Sequence, residues 1–138
     1  MKQLAIITIF IFLFSCSNED TAKYTPVPTP SILGKWHQKE SIVNGTTFPY
    51  DDHEECGKDY FEFYGLNQIR SVDIFDCEAQ TDWEGSYIVF GNDLRITSDG
   101  ETIFATINVL NNTTLTFSYD YDEDVDGFAE HYVETFER

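Results

Sequence analysis

Positive charge is scarce in this 138-residue chain: 8 Lys and Arg stand against 25 Asp and Glu, for a formal net charge of −17. That balance excludes nucleic acid as a partner, because its binders present basic surfaces. It also argues against charge-driven adhesion to anionic lipid, and it leaves cations and basic proteins as complementary partners. Cysteine is sparse at three residues with no Cys-x-x-Cys spacing, and the three histidines, His37, His53 and His131, are scattered. A zinc-type cluster is therefore not expected. No segment after the first 15 residues sustains a 3.6-residue apolar period, so no helix is predicted there. A Ser-His-Asp arrangement, a Gly-rich phosphate loop and an unpaired cysteine nucleophile are all missing, and carboxylate pairs are too common for any one to be specific. Catalysis is not expected.

Long apolar runs are also missing, except at the N-terminus. Lys2 precedes a near-continuous apolar run from Leu4 to Phe14, followed by Ser15-Cys16. The run is too short to span a bilayer, which takes ~20 residues. It has the basic start, apolar middle and small residue before a cut that mark a signal peptide. Leu13-Phe14-Ser15-Cys16 resembles the lipobox of bacterial lipoproteins. In that family the corresponding cysteine is lipidated and becomes the new N-terminus. The resemblance implies a signal peptide over 1–15 and a lipid on Cys16; ordinary cleavage with Cys16 incidental is the alternative. Each buried CH₂ contributes about 0.8 kcal/mol, so a multiply acylated cysteine anchors stably without a spanning helix. Ser17-Asn18-Glu19-Asp20 resembles the surface-export signals of Bacteroidetes lipoproteins, with a solvated spacer as the alternative. Pro26, Pro28 and Pro30 alternate with other residues and favour an extended spacer of ~3.1 Å per residue. Residues 16–30 read as a stalk and 31–138 as one domain. The expected location is the outer membrane, on its periplasmic or its exposed side.

With 12 Phe, 8 Tyr and 2 Trp, the domain has the means to build a core. Short alternating runs of β-branched and aromatic residues predict eight strands: Lys35–Val43, Lys58–Tyr64, Gln68–Cys77, Trp83–Phe90, Asp93–Ser98, Glu101–Leu110, Thr114–Tyr121 and Phe128–Phe136. The turns between them can be tested against the apolar faces, because a correct hairpin sets apolar opposite apolar. A two-residue turn at Asp99-Gly100 pairs Ile96 with Ile103 and Leu94 with Ala105. One at Gly91-Asn92 pairs Val89 with Leu94 and Tyr87 with Ile96, selecting the same face. A three-residue loop, Asn111-Asn112-Thr113, pairs Val109 with Leu115 and Ile107 with Phe117, with Asn112 left-handed in a bulge. A turn around Leu66-Asn67 pairs Phe61 with Val72 and sets Cys56 opposite Cys77, close enough for a disulfide. Successive short hairpins predict an all-β, up-and-down antiparallel barrel of eight strands, with a β-sandwich as the alternative.

Together these pieces resemble the lipocalin-like lipoproteins of Bacteroidetes over 31–138. Ile32-Leu33-Gly34-Lys35-Trp36 is similar to the Gly-x-Trp opening of the first lipocalin strand. Gly85-Ser86-Tyr87, Asn92-Asp93-Leu94-Arg95-Ile96, Thr113-Thr114-Leu115-Thr116 and Glu134-Thr135-Phe136-Glu137-Arg138 add to the match, as does the pair Cys56 and Cys77. The resemblance implies that Trp36 closes the lower end of the barrel with Arg138 packed near it. The chain is shorter than full lipocalins and has no C-terminal helix pattern, which argues against a large cavity.

Two functions follow as expectations. One is a membrane-anchored module that holds a small hydrophobic ligand. Its wall would be drawn from Trp36, Phe61, Phe63, Tyr87, Ile96, Ile107, Phe117 and Tyr119, residues that read equally well as filled core. The other is a cell-envelope interaction protein that meets its partner through an acidic rim. Alternating strands gather every second loop at one end, away from the stalk, and those loops hold Asp51, Asp52, Glu54, Glu55, Glu78, Asp82, Asp99, Glu101, Asp120, Asp122, Glu123, Asp124 and Asp126. Within them Asp120, Asp122, Asp124 and Asp126, followed by Gly127, resemble a Ca²⁺ loop. An EF-hand is excluded, because Val133 stands where the bidentate Glu belongs. A looser Ca²⁺ site or a solvated loop remain. His53, among Asp51, Asp52, Glu54 and Glu55, reads as a metal ligand, a pH sensor or part of a solvated loop, the last being preferred.

Overall fold

The structure is a computed structural model that describes residues 30–51, 53–122, 125 and 127–138. The signal peptide, Cys16, nearly all of the stalk, and Asp52, Glu123, Asp124 and Asp126 lie outside the described residues. Nine antiparallel strands follow in chain order: β1 (Gly34–Val43), β2 (Thr46–Pro49), β3 (Tyr60–Tyr64), β4 (Gln68–Phe75), β5 (Glu78–Phe90), β6 (Asp93–Ser98), β7 (Glu101–Leu110), β8 (Thr114–Tyr121) and β9 (Glu130–Glu137). Neighbours in sequence pair from β3 to β9, and β1 pairs with both β3 and β9. The sheet therefore closes into an eight-stranded barrel, with β2 as an added strand on the outer half of β1. Closure is complete within 34–137, and the core cluster spans Ile32 to Phe136.

β2 went unread in the sequence although its signal is present. Asn44-Gly45 is a two-residue turn with φ of 48° and 85°, the left-handed pair that Asn-Gly adopts most readily. Asp99-Gly100 is built alike, and the pairs Ile96–Ile103, Leu94–Ala105, Val89–Leu94 and Tyr87–Ile96 form as expected. Two registers differ from expectation by one residue. Between β7 and β8, Ile107 meets Phe117, but Val109 meets Thr116 and Leu110 meets Leu115. The extra residue is Asn108, bulged inside the strand, and Asn112 is not left-handed. Between β3 and β4, Phe63 meets Ile69 and Tyr60 meets Val72, so Val72 does not face Phe61. The three-residue turn Gly65-Leu66-Asn67, left-handed at Gly65 and Asn67, replaces the two-residue one.

That slip also moves the disulfide. Cys56 and Cys77 are bonded, with Cα atoms 5.6 Å apart, but they do not fasten the mouth of the β3–β4 hairpin. Asp76 and Cys77, with φ of 52° and 64°, form the turn between β4 and β5. The bridge therefore ties the β2–β3 connection to the tip of a different hairpin. Glu54 reinforces it: its two carboxylate oxygens accept from the amides of Asp76 (3.0 Å) and Cys77 (3.1 Å). With the turn at 76–77, β5 begins at Glu78, so Glu78 and Asp82 are strand residues and not loop residues.

The lower half of the barrel is packed solid. Trp36, Phe63, Ile69, Leu94, Leu115 and Phe136 are all less than 2% exposed. Trp36 Nε1 donates to the Ile32 carbonyl at 2.7 Å, and the Arg138 guanidinium lies 3.9 Å from the indole centroid. Arg138 also donates to the carbonyls of Asn112, Leu33 and Ser31, so this one residue seals the lower end, where β1 begins. Gly34, at φ +118°, leaves room for it, since a Cβ there would sit 3.1 Å from Arg138 Nη1.

Candidate ligand cavity

Toward the upper end the side chains no longer meet across the barrel. A cavity of about 390 Å³, partly open to solvent, lies there. Its apolar wall comes from Phe61, Trp83, Ile96, Ile103, Phe117 and Phe136, with Tyr119 and Tyr121 higher up β8. The rings brace one another: Phe61 stands edge-on to Trp83 at 5.4 Å, Phe117 stacks on Phe136 at 5.4 Å, and Tyr119 stacks on Tyr132 at 5.2 Å. Gly85, facing inward between Trp83 and Tyr87 on β5, lets β6 approach closely. A Cβ there would lie 2.4 Å from the Thr97 carbonyl oxygen.

Of the residues expected to wall a ligand site, Phe61, Ile96, Phe117 and Tyr119 line this cavity. Trp36, Phe63, Tyr87 and Ile107 do not; they belong to the packed core, at 6% exposure or less. Trp36 and Phe63 fall near the lower ends of their strands, where the barrel is filled.

The polar residues of the cavity were not singled out from the sequence. Gln38, Ser98, Asp99, Glu101 and Glu134 also line it. Glu134 is the unusual one, a carboxylate only 9% exposed on the inner face of β9. Gln38 Nε2 donates to its Oε2 at 3.2 Å, and Ser41 Oγ donates to the same oxygen. Tyr119 donates to Oε1 from 3.4 Å. A bulge in β1 makes this convergence: Gln38 pairs with Phe136 and Ser41 with Glu134, leaving Lys39 unpaired in the ladder. Without it Gln38 and Ser41, three apart, would point to opposite faces. The sequence did carry one signal, Tyr132-x-Glu134-x-Phe136, which places a carboxylate on the apolar face of the last strand.

Burial pushes the Glu134 carboxyl above the usual carboxylate range, and the hydrogen bonds from Ser41, Tyr119 and Gln38 offset only part of that. A carboxyl that holds its proton more tightly folded than unfolded stabilises the fold at low pH. That contribution is lost as pH rises from the ordinary carboxylate range through the raised value. Thermal melting of the parent and of Glu134→Gln across this range is expected to show the parent losing stability relative to the variant, then levelling off. Parallel curves at every pH would refute the linkage.

Several of the other candidates, among the described residues, take part in local hydrogen bonds. His53 is held at both ring nitrogens: Nδ1 accepts from the Asp59 amide at 3.1 Å and Nε2 donates to the Gln38 carbonyl at 2.9 Å. It is neither an open metal ligand nor part of a solvated loop. Asp59, itself buried, accepts from Tyr50 and from the Ile74 amide. Of the proposed Ca²⁺ ligands, Asp120 bonds His131 at 2.7 Å and Asp122 accepts from the Gly127 amide at 2.9 Å. Glu54, Cys56 and Cys77 cluster tightly, but both sulfurs are in the disulfide and are not available as thiolate ligands.

The profile of the lipocalin-like domain matches residues 32–117, well over half of the chain. This chain belongs to the lipocalin-like domain family. A crystal structure of an uncharacterized protein from Bacteroides eggerthii superposes on this lipocalin-like barrel with a TM-score of 0.57. It is 11% identical, over 78% of this chain and 99% of its own. A lipocalin-like protein from Bacteroides uniformis superposes with a TM-score of 0.56 at 14% identity, over 77% of this chain and 96% of its own. At these identities the likeness is one of fold. No curated protein sequence matches significantly.

Proposed function

We propose that this lipocalin-like protein is a non-catalytic binding module of the cell envelope, anchored through lipidated Cys16, that holds a small hydrophobic ligand in its upper cavity. One observation carries the reading: an aromatic-walled cavity of about 390 Å³ above a solid core. That volume falls in the range of small-molecule sites, ≈ 300–1,000 Å³. The stalk leads to the lower end, so an anchor there would hold the cavity mouth away from the membrane, on the periplasmic or exposed side of an outer membrane. The alternative, a protein partner met through the acidic rim with or without Ca²⁺, is less favoured, because Glu54, Asp120 and Asp122 already hold local structure.

Titration of residues 21–138 with N-phenyl-1-naphthylamine, a neutral apolar fluorophore, tests the cavity. Saturable one-to-one binding is expected. Ile103→Trp, which fills the cavity from β7, is expected to weaken it at least about tenfold, the loss of one or two kcal/mol of apolar contact. Non-saturating binding, or equal binding by the variant with its melting intact, would overturn the reading.

A further inference from the structure

We infer that the ligand is a cationic amphiphile, an amine on an apolar body, with its ammonium group set against Glu134. This assignment deepens the cavity reading and depends on it. Every charged side chain that lines the cavity is acidic: Glu134 within, Asp99 and Glu101 at the β6–β7 turn. Among the described lining residues none is Lys, Arg or His. A fatty acid or other anionic amphiphile would place its head beside Glu134 with no counter-charge, which like-charge repulsion in a desolvated site opposes. A neutral apolar molecule would cover the carboxylate and add to its burial without a new partner.

An ammonium reverses both costs. It brings three N–H donors, and a carboxylate has about four acceptor positions. Oε2 of Glu134 already accepts from Gln38 and Ser41, whereas Oε1 has only the long 3.4 Å contact from Tyr119. Acceptor capacity is therefore left on Oε1. The three neighbouring donors hold the carboxylate in place before a ligand arrives, so its orientation need not be fixed on binding. Phe117 and Tyr119, packed at 6.2 Å, line the cavity with Glu134 and supply apolar surface for the body of the ligand. The burial that raises the Glu134 pKa is the cost a bound cation would relieve. A net charge of −17 also concentrates cations near the mouth.

Octylammonium, octanol and octanoate have eight carbons each and differ in the head group and its charge, so they separate this inference from the cavity reading itself. Calorimetric titration of residues 21–138 at neutral pH is expected to rank octylammonium first, at least about tenfold tighter than octanol, with octanoate weakest, as a charge-assisted hydrogen bond predicts. In Glu134→Gln, which preserves shape, octylammonium is expected to lose at least about tenfold and with it its lead over octanol, whose binding changes by much less. Equal binding of octanol and octylammonium, indifferent to Glu134→Gln, would overturn the amine and leave the cavity standing. Tightest binding by octanoate would do the same. No binding by any of the three, together with no binding of N-phenyl-1-naphthylamine, would overturn both.

Discussion

Trp36→Ala is expected to cost about 3–5 kcal/mol, the largest effect of any single truncation in this barrel. The indole is wholly buried and meets the core from the lower end. Its loss leaves a cavity walled by strands that cannot collapse, because each is held on both sides in a closed ladder. The Ile32 carbonyl loses its donor, and the Arg138 guanidinium loses the ring beneath it. At this domain size the melting temperature is expected to fall by more than about 10 °C. Arg138→Ala keeps the indole but frees three loop carbonyls, so a smaller loss is expected, and the two changes should be less than additive because the groups touch. Chemical denaturation of the two single variants and the double variant measures this. A cost below about 1 kcal/mol for Trp36→Ala would mean that the lower end is not where the barrel is held shut.

Removing the disulfide with Cys56→Ser and Cys77→Ser is expected to cost about 3 kcal/mol, from the chain entropy of a loop closed over 21 residues. The loss should be uneven in space. The bridge fastens the segment that carries His53 and Glu54 to the β4–β5 tip, at the end of the barrel opposite Trp36 and Arg138. Amide exchange is therefore expected to quicken first around Asp59 and Asp76. Glu54 bonds the same turn without the sulfurs, so the β4–β5 hairpin should persist in the reduced protein. A reduced protein with unchanged stability would show that the Glu54 contacts suffice alone.

Much of the barrel was legible because its determinants are local. Strand alternation located eight of the nine strands, and Asp99-Gly100 and Gly91-Asn92 set correct registers, since a two-residue turn leaves no freedom in what faces what. The errors fall where one residue can be inserted without breaking the pattern. A turn at 65–67 and a bulge at Asn108 each accommodate an extra residue, and alternation on either side looks the same. β2 was lost for another reason: Thr46–Pro49 is exposed along its whole length, so it shows no apolar alternation, and only Asn44-Gly45 announces it. The disulfide was paired correctly from a register that the structure corrects.

The candidate site was half legible for a related reason. An inward aromatic looks the same in sequence whether it sits in the filled lower half or at the cavity, so Phe63 and Phe117 could not be told apart. Height in the barrel decides that, and height depends on how strands from the whole chain stagger. Gln38 and Ser41 reach Glu134 only because Lys39 is bulged, which depends on how β1 and β9 pair across almost the full length of the chain. Alternation and turn chemistry, acting over a few residues, were enough to determine the class of fold and the inward faces, while the lower seal of Trp36 and Arg138 was implied by the family resemblance alone. Where the core stops, and that a buried carboxylate waits there among aromatic rings, was decided by strand stagger and closure, which no local stretch of sequence contains.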